Sequence, residues 1–143
     1  DAAGFAEMRL GAGRDFQNKT VLLVTVGTGI GTSLFRCGQL VPNVEMGHIE
    51  YLGQNAESWV SESARKAEKL SWKVWAGRFN GYLKVLERLL SPDLIILGGG
   101  GVKRPEKFSD ILQLKTPVEF ASFGNRAGIV GAAMAAAEDY DVL

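Results

Sequence analysis

Residues 24–32 read Val-Thr-Val-Gly-Thr-Gly-Ile-Gly-Thr, an apolar β-branched run that ends abruptly in three glycines and two threonines. Glycines tolerate positive φ and let backbone come close to a ligand, and threonine hydroxyls can donate to it. Gly27, Thr28, Gly29, Gly31 and Thr32 are therefore a candidate cradle for phosphate in a chain without a large basic patch. The pattern is not a Walker A loop, because no Gly-Lys-Ser/Thr follows. It is not a dinucleotide fingerprint either, because strand residues follow rather than a helix. On spacing alone it reads equally well as a tight β-turn with no ligand. A second junction has the same form: Leu94-Ile95-Ile96-Leu97 runs into Gly98, Gly99, Gly100 and Gly101. Ligands in α/β folds lie beyond the carboxyl ends of strands, so two such junctions together suggest a cleft for a phosphorylated ligand. Alone, the second could be no more than a flexible loop.

Glu45, His48 and Glu57 are the most suggestive polar residues. A carboxylate accepts hydrogen bonds through both oxygens, and a neutral imidazole can donate or accept. A few residues apart they can bind adjacent hydroxyls of a sugar, and Gly47 lets the backbone pass closely just before His48. The alternative for a lone histidine is a structural side chain with its hydrogen bonds satisfied. Metal binding by His48 is not expected, because no cysteine or second histidine accompanies it. Lys103, Arg104 and Lys107 follow the second glycine run and could extend a positive path for a polyanion; the plain alternative is a solvated face.

The elements that position these residues read as follows. Residues 2–10 form a short helix end, and Thr20 to Val26 a buried strand. Thr32 to Phe35 and Gln39 to Val41 are strands joined through Arg36-Cys37-Gly38 in a hairpin-like connection. Residues 56–69 are polar and helix-compatible. Ser71 can cap a helix in which Trp75, Phe79, Tyr82, Leu83, Leu86, Leu89 and Leu90 form one apolar face, closed by Ser91-Pro92. Leu94 to Leu97 is an apolar strand. A short helix, a strand over Thr116 to Ala121 and a small-residue helix over Gly128 to Ala137 complete the order. This is an α/β layer with a mixed sheet.

The chain's 143 residues, 46% of them hydrophobic, suffice for one packed domain. Sixteen basic residues balance sixteen acidic ones, so bulk charge points to neither nucleic acid nor a membrane surface. The single Cys37 excludes an intrachain disulfide framework and a multi-cysteine zinc site, and fits a reducing, cytoplasmic setting. No apolar run is long enough to span a bilayer. Asp1-Ala2-Ala3-Gly4 shows no signal-peptide pattern and reads like the interior of a longer protein.

Thr25-Val26-Gly27-Thr28-Gly29-Ile30-Gly31, Glu45-Met46-Gly47-His48 and Leu94-Ile95-Ile96-Leu97-Gly98-Gly99-Gly100 resemble, in this order, the ROK family of sugar kinases and repressors. Leu40 to His48, Leu70-Ser71-Trp72 and Leu90 to Ile96 are similar to its polyphosphate glucokinase branch. Asn125 to Ala133 fits as well, so the resemblance spans nearly the whole chain.

The resemblance implies an actin-like, ribonuclease-H-like fold of two lobes, with residues 1–143 as the C-terminal lobe and the N-terminal lobe absent from this chain. It implies phosphoryl transfer from inorganic polyphosphate or ATP to the 6-hydroxyl of glucose, with Mg²⁺ accompanying the donor. Gly27 to Thr32 would hold donor phosphates. Gly98 to Gly101 would lie beside the donor, near the base if the donor is ATP. Glu45, His48 and Glu57 would bind the sugar, and Lys103 and Arg104 are candidate polyphosphate contacts. The family's catalytic aspartate aligns two residues before Asp1, so no catalytic residue is assigned within the chain and the isolated segment is expected to be inactive. The weaker alignment makes Asp1 itself the base. No cysteine follows Gly47-His48-Ile49-Glu50-Tyr51, so structural zinc is not expected. A homodimer in the cytoplasm is expected. The alternatives are a sugar-responsive transcriptional regulator of the same family and a sugar-binding lobe without catalysis.

Overall fold

A computed structural model describes residues 1–138. Strands β1 (Thr20–Val26), β2 (Ile30–Arg36) and β3 (Gln39–Val41) form an antiparallel meander. Strands β6 (Leu94–Gly98) and β7 (Val118–Phe120) add to β1 in parallel, giving one mixed sheet in the order β3-β2-β1-β6-β7. A separate two-stranded ribbon, β4 (Glu50–Tyr51) with β5 (Gln54–Asn55), lies outside it.

β1 and β6 are continuous apolar runs because both faces of the sheet are covered. Val21, Leu23, Leu94 and Ile96 pack on one side with Phe5 and Met8 of α1 (Ala2–Leu10) and Ala135 of α5 (Ala127–Ala137). Leu22, Val24, Val26, Ile95 and Leu97 pack on the other side with α4 (Trp72–Leu90). α1 and α5 touch closely: a Cβ on Gly131 would collide with the Ala2 carbonyl.

α4 starts where the Ser71 hydroxyl accepts the Val74 N–H at 3.2 Å. It ends at Ser91, whose left-handed backbone (φ 44°) precedes Pro92. Trp75, Phe79, Tyr82, Leu83 and Leu86 are fully buried, each worth roughly 1.5–3 kcal/mol of transfer free energy. Leu89 departs from the expected face and is 60% exposed, while Leu90 is partly buried.

Three further expectations are corrected. The helix-compatible stretch 56–69 is two helices, α2 (Ala56–Val60) and α3 (Glu62–Ala67), because Ser61 adopts extended backbone and uses its hydroxyl to cap Ala64. The short helix after β6 is three single 3-10 turns at Gly100–Val102, Pro105–Lys107 and Ser109–Ile111. β2 begins at Ile30 rather than Thr32, which shortens the glycine turn to Gly27–Gly29. The Arg36–Gly38 connection holds, with Cys37 and Gly38 both at positive φ as a two-residue hairpin turn requires.

Candidate functional site

β1 and β6 are parallel neighbours, so their carboxyl ends lie side by side, with Thr25 in register with Gly98. The two glycine junctions therefore meet. Gly99 sits at φ +88°, and a Cβ there would overlap the Val26 carbonyl. Gly101 packs on the Val26 side chain in the same way. The Glu62 N–H, at the start of α3, donates to the Gly27 carbonyl at 3.0 Å. Thr25, Val26, Gly27, Gly29, Ile30, Gly31, Glu57 and Gly99 line an open cavity of about 380 Å³.

At the hairpin turn positive φ plays no part, and Gly29 and Gly31 serve close approach. None of Gly27, Gly29 and Gly31 has positive φ. Gly29 lies against the Glu57 carboxylate, a Cβ on Gly31 would lie 2.5 Å from the Thr25 hydroxyl, and Gly27 faces open space. Thr28 is exposed at the tip. Thr32 is not: its hydroxyl donates to the Val44 carbonyl at 2.8 Å and accepts the Met46 N–H at 3.0 Å. Its one proton already has an acceptor in the fold, so Thr32 is a clip for the next loop and not a free donor to phosphate.

That loop carries Glu45 and His48. Met46 is held from both sides, by Thr32 at its N–H and by the Tyr82 hydroxyl, which donates to its carbonyl at 2.9 Å. Burial, and then the nearby Glu57 carboxylate, push the Tyr82 phenol above its ordinary value, so it remains a neutral donor. Gly47 passes over Ile30 so closely that a Cβ would lie 2.5 Å from the Ile30 carbonyl oxygen. Glu45 and His48 are both exposed.

Glu57 has a different setting from the other two. Its Oε2 accepts the Ile30 N–H at 2.9 Å, at the foot of the glycine turn. Its own N–H donates to Asn55 Oδ1 at 3.1 Å, while the Asn55 amide nitrogen lies 3.4 Å from His48 Nδ1. Where Nδ1 accepts from that amide, Nε2 is the imidazole nitrogen left to donate. Asn55 thus links His48 to Glu57. Glu45 lines an adjoining cavity of about 180 Å³ with Asp1, Ala3, Leu23, Thr25, Gly31, Thr32 and Ser33. The Asp1 carboxylate there accepts the Ser33 hydroxyl at 3.0 Å. Thr25 and Gly31 belong to both cavities and form the ridge between them.

On the far side of Gly98 and Gly99 lies a cavity of about 270 Å³, walled by Leu97, Val102, Pro105, Phe120, Ala121 and Gly124, with Lys103 at its rim. Arg104 is exposed and pairs with Glu106 at 3.1 Å. Among the described residues no three His, Cys, Asp or Glu side chains gather where they could hold a metal ion, and no helix is long and apolar enough to cross a membrane.

Sequence reasoning missed Thr25, Asn55 and Tyr82. The Asn55-Ala56-Glu57 spacing is a helix-cap signal that could have marked Asn55. Nothing local marks Tyr82, whose periodicity assigns it only to the core.

No family model matches the chain. The chain is 41% identical over 139 residues to a polyphosphate glucokinase of Mycobacterium leprae, covering 97% of this chain and 43% of that protein. It is 42% identical over 139 residues to a polyphosphate glucokinase of Mycobacterium tuberculosis, covering 97% and 52%. Among solved structures, an inorganic polyphosphate/ATP-glucomannokinase from Arthrobacter superposes with a TM-score of 0.93 at 45% identity, over 98% of this chain and 55% of that one. A ROK hexokinase from Thermus thermophilus shares the fold, with a TM-score of 0.77 at 24% identity over 96% of this chain and 64% of that one. The chain thus spans about half the length of the curated relatives it matches. Its mixed sheet is that of the actin-like sugar-kinase fold.

Proposed function

We propose that the chain belongs to the ROK family and is the C-terminal lobe of a glucokinase that transfers a phosphoryl group from inorganic polyphosphate or ATP to the 6-hydroxyl of glucose. The observation that carries this reading is the meeting of the two glycine junctions at the ends of β1 and β6, one ridge away from the Glu45–His48 turn. A donor phosphate and a sugar hydroxyl would then lie on the two sides of Thr25 and Gly31.

Phosphoryl transfer needs positioning and charge neutralisation more than covalent help from the protein. The backbone of Thr28 and Gly29 and the Thr28 hydroxyl would hold donor phosphate, the Gly27 N–H being already given to the Gly29 carbonyl at 2.9 Å. Glu57, by fixing the Ile30 N–H, would keep that turn in place and lie within reach of the sugar side through Asn55. Glu45 and His48 Nε2 would bind sugar hydroxyls. The apolar cavity beside Gly98 and Gly99 would take the adenine of ATP, and Lys103 and Arg104 would contact polyphosphate. Mg²⁺ would arrive with the donor phosphates, since the described residues offer no cage of their own, and would supply charge neutralisation there. The general base is assigned outside these residues, to the aspartate that the family places two positions ahead of Asp1. A homodimer in the cytoplasm is part of the same reading.

Coupled detection of glucose 6-phosphate from the intact protein tests it. Glucose-dependent turnover with at least one of the two donors is expected. No turnover with either overturns it.

A further inference from the structure

Glu7 of α1 is 1% exposed, and no ion pair joins it among the described residues. Its carboxylate is held by three backbone N–H groups instead. Oε1 accepts Ser122 at 2.8 Å and Phe123 at 3.0 Å, and Oε2 accepts Ala12 at 3.1 Å. Gly11 is shaped to the same group, since a Cβ there would collide with Oε2. Hydrogen bonds to an ionised acceptor are the strong kind, and a buried carboxylate tolerates the loss of water only when such donors replace it.

Two of the three donors belong to the segment between β7 and α5. Ala121 and Gly124 flank those two amides, and both line the apolar cavity beside Gly98 and Gly99. Ala121 is anchored on the sheet by its N–H to the Leu97 carbonyl at 2.8 Å. Past that point Glu7 fixes the next two amides, and Gly124 turns the chain at φ +53°. One wall of the cavity therefore takes its shape from a carboxylate that does not itself line the cavity.

We infer that Glu7 is a positioning residue that sets this wall and so governs the use of a nucleotide donor, while a donor without a base is indifferent to it. The inference rests on the reading of the apolar cavity as the base site. Polyphosphate has no base to set against this wall, and its assigned contacts, the glycine junctions with Lys103 and Arg104, lie off the 121–124 segment, so it serves as the internal control.

The experiment is steady-state kinetics of the intact protein with ATP and polyphosphate in parallel, for wild type and Glu7→Gln, with thermal unfolding recorded alongside. Glutamine keeps the size of the side chain, but whichever way its amide lies, an NH₂ faces a backbone N–H. The KM for ATP is expected to rise about tenfold, the equivalent of one charge-assisted hydrogen bond, with kcat for both donors and the KM for polyphosphate within about twofold of wild type. Ser122→Pro, which deletes one of the tied N–H groups from the loop side, is expected to show the same donor-selective change and serves if Glu7→Gln does not fold. A parallel rise in KM for both donors, or an unchanged KM for ATP, overturns the inference. A wild type that uses polyphosphate yet neither turns over nor binds ATP removes the base-site reading itself, and that outcome is visible before any variant is made.

Discussion

The two glycine junctions look alike as strings, a β-branched strand running into glycines, yet glycine is required in each for a different reason. At Gly99 the backbone is left-handed and a Cβ would strike the main chain of Val26. At Gly29 the backbone is ordinary and a Cβ would strike only the end of the Glu57 side chain. At Gly27 it would strike nothing. The second junction is therefore a close backbone packing of the residues after β6 on the end of β1, whereas the first is a turn whose nearest neighbour is the Glu57 side chain and whose Gly27 faces open space.

Substitutions separate the two roles. Gly99→Ala meets both positive φ and a backbone overlap, and is expected to destabilise the protein by about 3 kcal/mol or more, read by chemical denaturation. Thr32→Val leaves the Val44 carbonyl and the Met46 N–H without their partner and is expected to cost about 1–3 kcal/mol. Because Thr32 holds the Glu45–His48 loop, that variant should raise the KM for glucose while leaving the KM for the donor near wild type. Gly29→Ala can be relieved by a shift of Glu57, so its unfolding free energy should fall by only about 1 kcal/mol, with the main change in donor KM. Gly27→Ala should leave stability within about 0.5 kcal/mol of wild type, since neither φ nor space opposes it. If Gly27→Ala proves as destabilising as Gly99→Ala, the distinction between a packed junction and a turn is wrong. The smallest effect belongs to Lys103→Ala with Arg104→Ala, both exposed, which should weaken polyphosphate use more than ATP use; equal effects count against a polyphosphate track.

The parts of the fold set by local chemistry are legible from residue order alone. β1 and β6 are apolar because both faces are covered, Ser71 caps α4 through its own hydroxyl, and Cys37-Gly38 turns a hairpin. The parts that depend on distant partners are not. Residues 56–69 carry helix-compatible composition throughout, but the break at Ser61 lies where Glu62 docks on Gly27, a contact between segments far apart in sequence. Thr32 looks like a phosphate ligand because it follows a glycine turn, and only the arrival of residues 44–46 shows where its hydroxyl points. Glu7 gives no signal at all, since a glutamate on a short helix reads as solvated until Ser122 and Phe123 are seen to cover it. Glu45, His48 and Glu57 stand out in the sequence by residue type alone, but the link through Asn55 and the attachment of Glu57 to the glycine turn are properties of the fold.

The central claim is that both glycine junctions face one donor and the Glu45–His48 turn faces the sugar. Amide hydrogen exchange of the intact protein, alone, with polyphosphate and with glucose, tests it most directly. Polyphosphate should slow exchange in residues 27–31 and 98–101 together, and glucose should slow exchange in residues 45–48. Protection of only one glycine junction, or donor protection that leaves both unchanged, would contradict it.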